Sequence, residues 1–373
     1  MASGKGPSHP HRSIRAPGQS GRVIEVRRCT SGTELLTLRN RWNRLVSRCS
    51  HPSLYLTHDW MTGWWEQECP PGRELLVLLA EEGDALTGIA PLVKITNRFA
   101  GLRIRRLELM TMGMYAYNPR NISASLEMFS GQGDHRPIDA FAAHLSASRD
   151  EWDYIRFHPL PEGSQTLDRL SAWAKAEGFG CHVRPVFANA VIDLPGEMET
   201  YLKSLSPTHR KNIRRMENAI RREGGYTVTE VTSSGDVPSL LGRMADIESH
   251  SWKASGGVGL SRSEVMASTG WQVRAAIALG GLELWFLGKD GKEIAFNLSI
   301  RYGNSVESLR ASYDSAFRDL SPGNHLLTRE LSSYMERGIS RYNLMWGDFD
   351  YKLKWTSKIE TCYEMYIFNR TPL

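Results

Sequence analysis

No apolar run in this 373-residue chain approaches the roughly 18 residues that a membrane-spanning helix needs, so no bilayer crossing is expected. Cysteine is scarce: Cys29, Cys49, Cys69, Cys181 and Cys362 are odd in number, widely spaced and without a C-x-x-C. That argues against a disulfide framework or a zinc site and fits reduced thiols in a cytoplasm. Absent too are H-E-x-x-H, the phosphate loop and the G-x-S-x-G elbow, which removes the usual zinc-protease, triphosphatase and serine-hydrolase readings. "GGVG" at Gly256–Gly259 is too short for a dinucleotide fingerprint. The N-terminal stretch is rich in Gly, Pro, Ser and Arg and has no apolar segment of the kind a secretory signal carries. It reads as a flexible basic tail over residues 1–28.

With 41% hydrophobic and 23% charged residues, the composition is that of a globular chain long enough for two domains. The net charge of +5 is unevenly placed. Residues 1–28 hold six Lys/Arg against one Glu, residues 206–225 hold six against two, and the remainder is net acidic. A surface that coats nucleic acid all over is therefore excluded.

Two hairpin patterns recur. "ELLVLLAEEGDALTGIAPLVKI" and "LELWFLGKDGKEIAFNLSIRY" each pair two apolar, β-branched runs around a Gly/Asp reversal. Each follows tryptophan-rich helical segments and precedes alternating strand and helix patterns. The repetition points to a duplicated α/β unit with mixed sheets, divided near "VIDLPGEMETYLKSLSPTHR" into residues 29–195 and 196–373.

Three motifs carry candidate chemistry. In "LRASYDSAFRDLSPGNHLLTRELSSYMERG" a strand ends near Asp314 and a helix opens at Ser321-Pro322-Gly323. The amides of Gly323, Asn324 and His325 then point outward, the arrangement that binds phosphate, although an ordinary helix start has the same residues. "WGDFDYKLKW" sets Asp348, Tyr351 and Lys352 between tryptophans; these groups can move protons or polarise a carbonyl, and an amphipathic edge strand is the alternative. In "SHSWKASGG" His250 and Lys253 read as cations complementing a helix C-terminus.

The most charge-biased segment, "SPTHRKNIRRMENAIRREGG", places Ile213, Met216 and Ile220 on one stripe, so the helix docks on a core. Arg210 and Arg214 lie on the remaining faces. They can meet phosphates of a cofactor, an anionic acceptor or the acceptor stem of a tRNA, or they can be a solvated basic face. No helix-turn-helix partner follows, so DNA reading is not expected.

Taken in order, "SP-x-x-R…RR", "SWK", the hairpin, "YD…SPG" and "GD-x-x-YK-x-x-W" resemble the GNAT-related acyltransferases of the cellulose-biosynthesis, CelD-like type. These are relatives of the Fem-type aminoacyl transferases, which consist of two tandem GNAT domains. The resemblance runs from about Thr57 to Trp355 and is strongest from Ser206; "MGMYAYNPRNISAS" departs from it. It implies that Ser321, Gly323, Asn324 and His325, with Arg210 and Arg214, receive the pyrophosphate of acyl-CoA. "SPGNH" lacks the fuller Arg/Gln-x-x-Gly-x-Gly/Ala pattern, which implies a weaker hold. It also implies that Lys352 stabilises the reacting carbonyl, with Asp348 or Asp314 as base through a water and Tyr351 as acid. The expected activity is direct acyl transfer from acyl-CoA, such as acetyl-CoA, to an amine or hydroxyl of a small-molecule or saccharide acceptor, with no metal. The alternatives are aminoacyl-tRNA as donor, or a non-catalytic relative that binds a saccharide or protein.

Overall fold

The computed structural model describes residues 23–110, 127–256, 258–347 and 349–369. Asp348 and the segment "MGMYAYNPRNISAS" lie outside them. The first half opens with β1 (Glu25–Cys29), so residues 25–28, expected within a tail, belong to the sheet. Helices α1 (Gly32–Thr37), α2 (Arg39–Val46) and α3 (His58–Gln67) follow. An antiparallel meander comes next: β2 (Arg73–Glu82), β3 (Ala85–Phe99) and β4 (Leu102–Leu109). After the short β5 (Phe129–Ser130), the chain alternates through α4 (Arg136–Ala147), β6 (Tyr154–Pro161), α5 (Gln165–Glu177) and β7 (Gly180–Asp193).

Two helices, α6 (Met198–Ser204) and α7 (Pro207–Glu223), lead into the second half. This half repeats the plan with β8 (Tyr226–Val231), α8 (Val237–Ser249), α9 (Trp252–Ser255), α10 (Ser263–Ala278), β9 (Leu282–Lys289), β10 (Lys292–Tyr302) and β11 (Ser305–Tyr313). It closes with α11 (Pro322–Glu336), β12 (Arg341–Trp346), α12 (Asp350–Leu353) and β13 (Ile359–Phe368). Both hairpins foreseen in the sequence are present. The second turns on Asp290 and Gly291, both at positive φ (49° and 85°), as a two-residue reversal between right-twisted strands requires.

The described strands join one sheet in the order β1-β2-β3-β4-β6-β13-β7-β12-β11-β10-β9-β8, with β5 beside β3. The order is a mirror about the β13–β7 pair. In each half the meander is antiparallel, and the strand entering after a helix crossover is parallel to its neighbour (β4 with β6, β11 with β12). The halves also exchange a strand. β7 belongs in sequence to the first half but pairs with β12, and β13 belongs to the second but pairs with β6.

The tryptophan-rich helices expected as packing elements do pack. On one face of the sheet α3 meets α10, with Trp60 and Trp271 at 4.8 Å between ring centroids. A Cβ on Gly63 would stand 2.7 Å from the Trp271 ring, so glycine is what permits this approach. On the other face Ile213, Met216 and Ile220 of α7 are buried with Leu327, Leu331 and Tyr342, as their spacing foretold. The basic helix is therefore fastened along one side and free along the other.

Candidate active site

The site arises from a break in strand pairing. β11 and β12 run side by side for three residues only, Ser305–Glu307 against Arg341–Asn343. β11 then continues along β10, whereas β12 turns to β7, where Trp346 faces Asn189. The Asp314 amide bonds the Ile294 carbonyl on the β10 side, at 2.8 Å. By the two-residue alternation of an antiparallel strand, Ser312 also turns its backbone groups to β10, while Ala311 and Tyr313 turn theirs to the open side. An edge of peptide groups with no strand partner among the described residues thus lines a cleft between two diverging strands.

Two lysines stand on its two lips. Lys253 donates to the Ala311 carbonyl at 2.6 Å and reaches Glu248 at 3.3 Å. On the β12 lip, Lys352 donates to the carbonyls of Met345 (3.0 Å) and Trp346 (2.6 Å). Those carbonyls are available because Met345 has φ of 65°, which interrupts the ladder; its amide is held by Asn343 Oδ1 at 2.8 Å. Burial disfavours both charges. It lowers Lys352 to about 8, and, with the nearby Arg310, lowers Lys253 to about 8. Each ammonium remains mainly charged at neutral pH. Lys352 has three protons, two of which hold the bulge, leaving one for a ligand. The Phe349 and Tyr351 rings stack at 6.2 Å and lie 5.6 Å and 5.9 Å from its Nζ.

At the point of divergence sits Glu307. It accepts from Asn343 Nδ2 (2.6 Å) and Ser305 Oγ (3.1 Å), and it has no ion pair among the described residues. Burial raises it to about 7. One residue, Asn343, thus bonds both the carboxylate and the bulge that Lys352 supports.

Other expected site residues are placed differently. Asp314 caps the 3₁₀ turn after β11, accepting from the Ala316 amide at 3.0 Å, and pairs with Lys292 at 3.0 Å. Burial opposes its charge, but these two partners outweigh burial and hold its pKa below the usual range, so it is a poor base. Ser321 stands at the start of α11, but in the left-handed region (φ 50°) and without a side-chain cap. Its carbonyl accepts from the amides of Asn324 (3.0 Å) and His325 (3.2 Å). Of the three amides expected to face an anion, only that of Gly323 lacks an acceptor among the described residues. The helix start nonetheless adjoins the cleft, since a Cβ on Gly323 would lie 4.0 Å from the Tyr313 ring.

The side chain of His325 is buried and faces Glu217 of α7 at 2.6 Å, away from any ligand. The Asn324 side chain accepts from Trp355 Nε1 at 3.4 Å. Tyr351 is 57% exposed on α12, where an edge strand was the alternative expectation. Arg210 donates to the Lys203 carbonyl (2.8 Å), which closes the turn between α6 and α7. Arg214 lines a groove between α6, α7 and α11, not the cleft. The structure therefore brings Lys352, Tyr351 and Gly323 to the cleft and leaves Asp314, His325, Arg210 and Arg214 off it.

Glu307 and Lys253 were missed as site residues. Glu307 did leave a signal, a carboxylate inside the apolar strand "SVESLRASY". Lys253 stands in "SWK" and reads as a cation complementing a helix end; its partner, the Ala311 carbonyl 58 residues away, is main chain and leaves no mark in the sequence.

Residues 207–353 match the family model described as an acetyltransferase (GNAT) domain. No curated protein matches the chain by sequence. Among solved structures it is similar to FemX, with a TM-score of 0.62 at 13% identity, over 93% of this chain and 98% of that one. A Bacteroides thetaiotaomicron protein of unknown function is similar at TM-score 0.54 and 13% identity, over 89% and 97% of the two chains. The C-terminal domain of a putative lysylphosphatidylglycerol synthetase from Agrobacterium fabrum is similar at 0.52 and 13%, over 90% and 92%. The cleft lies wholly within the matched segment. The fold is thus that of tandem GNAT-like halves, mixed sheets flanked by helices, with the acetyltransferase-domain match on the second.

Proposed function

We propose that the chain is an acyltransferase that moves an acyl group from acyl-CoA, acetyl-CoA being the simplest, to an amine or hydroxyl of a small-molecule or saccharide acceptor. The observation that carries this reading is the open edge of β11, where peptide N–H groups line a cleft between two partly desolvated lysines. A thioester carbonyl laid along this edge accepts from an N–H of Ala311 or Tyr313, and the remaining Lys352 proton serves the oxyanion that forms on attack. The acceptor nitrogen bonds to the carbonyl carbon, the C–S bond breaks, and the departing thiolate takes a proton from Tyr351, which regains one from solvent. The amine's own proton passes through water to Glu307, whose value near neutrality suits a general base. Direct attack needs no enzyme nucleophile. Within the GNAT group we assign the chain to the CelD-like type, with the division between domains near residue 195 and a cytoplasmic place of action.

A second reading keeps the cleft and takes aminoacyl-tRNA as donor. Two observations favour it: among the described residues one of the three expected amides is open at the start of α11, and six Lys/Arg line α7. Melting of the purified protein with acetyl-CoA, longer acyl-CoAs and CoA tests the first reading, because a ligand that prefers the folded state raises the midpoint. Thiol release with added amines then finds the acceptor. No shift at millimolar CoA esters, with charged tRNA consumed in a steeply salt-dependent way, transfers the assignment to the second reading. Neither activity at all would leave a binding protein.

A further inference from the structure

Away from the cleft, an open groove of about 400 Å³ lies between α6, α7 and α11. Its floor is apolar, formed by Met198, Leu202 and Ile213, and its walls carry Arg214, Arg221 and Arg329. The cause lies in the sequence of α7. Arg214, Asn218 and Arg221 follow at i, i+4 and i+7, one row along the helix beside the buried stripe. Arg214 and Arg221 have no ion pair among the described residues. Glu217 is the one carboxylate in the lining, and it is engaged: one oxygen meets His325 at 2.6 Å and the other Arg329 at 3.0 Å. Burial opposes the Glu217 charge, yet the His325 bond and the neighbouring arginines outweigh it and lower its pKa. The groove is thus net cationic above a greasy floor.

Its lining on α11 is Thr328, Arg329 and Ser332, five to nine residues beyond Gly323. At about 1.5 Å per residue this is roughly 8–14 Å along the helix from the end that adjoins the cleft. The size suits one small molecule. RNA phosphates would use the arginines but not the floor. The chain's own residues 1–22 have four Lys/Arg and no Asp/Glu, the wrong sign for this wall.

We infer that this groove is a second ligand site, separate from the acyl-transfer cleft, for a single anionic amphiphile. A phosphate or carboxylate head pairs with Arg214 and Arg221, and a short hydrocarbon part covers Met198, Leu202 and Ile213. The inference does not depend on the donor used in the cleft.

Calorimetric titration of the full chain with octyl phosphate, below its micelle concentration, tests it. The expected result is 1:1 binding at least tenfold tighter than inorganic phosphate and tighter than octanol. Arg214→Ala/Arg221→Ala should weaken it tenfold or more with no change in melting, since both side chains are at the surface; Leu202→Asp should weaken it with inorganic phosphate binding retained. Lys352→Ala should leave it unchanged. Absent binding, equal binding by the double arginine variant, or equal affinity for inorganic phosphate would each overturn the site. Displacement by CoA at equal stoichiometry would overturn its separateness, assigning the groove to the donor. Binding to anionic vesicles without binding to octyl phosphate would replace the single molecule by a membrane surface.

Discussion

The two halves place a glutamate at the same point of the same motif and surround it oppositely. In the first, Arg106–Glu108 runs parallel to Tyr154–Arg156; in the second, Ser305–Glu307 runs parallel to Arg341–Asn343. Both carboxylates are third in a three-residue register and both are buried. Glu108 is ringed by arginines, Arg106 at 2.9 Å with Arg73 and Arg156 at 3.8 Å. Glu307 has an amide and a hydroxyl instead. Burial raises both pKa values, but Glu108 keeps permanent counter-charges whereas Glu307 is left to exchange a proton near pH 7. The strands differ beyond the glutamate as well. β4 ends one residue on, at Leu109, while β11 runs six further to Tyr313 and exposes an edge. One copy of the motif is built to hold and the other to open.

The largest effect that would sharpen this contrast is expected at Lys352. Lys352→Ala should reduce kcat by about 100-fold or more with donor affinity little changed, the usual loss for one donor to an oxyanion. Unchanged turnover would remove Lys352 from the chemistry. Next, Glu307→Gln should lower kcat by about 10–100-fold and abolish the limb of the rate profile that rises through pH 7. The same variant carries a stability signature. Because the folded-state value lies above the ordinary 4.5, ionisation of Glu307 opposes folding. The variant should therefore gain on the parent as pH climbs from about 4.5 to about 7, by up to roughly 3 kcal/mol, and gain nothing below that window.

Glu108→Gln should do the reverse. Removing the shared partner of three arginines should cost about 3–5 kcal/mol in denaturant unfolding at pH 7, while leaving kcat in the folded fraction intact. If Glu108→Gln slowed turnover of folded enzyme as much as Glu307→Gln, the division of roles between the halves would fail. The smallest expected change is at Arg210, which contributes one exposed bond to a carbonyl. Arg210→Ala should shift unfolding by less than about 1 kcal/mol and leave donor affinity within twofold.

Much of this was legible beforehand. The hairpins, the buried stripe of α7 and the opening of α11 follow from turn residues, periodicity and local motifs. What could not be read depends on which peptide groups go unpaired. "SPGNH" carries the composition of an anion cradle, yet the left-handed Ser321 turns its carbonyl onto two of the amides. Asp314 is acidic and near the cleft, but a cap and a lysine bind it first. The exchange of β7 and β13 is hidden for another reason: a strand's sequence states that it pairs, not with whom, and "CHVRPVFANAVID" carries no mark of the neighbour it joins.

That exchange bears on how the protein is made. β13 lies mid-sheet between β6 and β7, and it is the last in chain order of the described strands. During synthesis the twelve other described strands leave the ribosome before the one that closes the join between the halves. Until residues 359–368 emerge, β6 and β7 each show a bare edge, so a nascent chain stalled short of them should be a target for holdase chaperones.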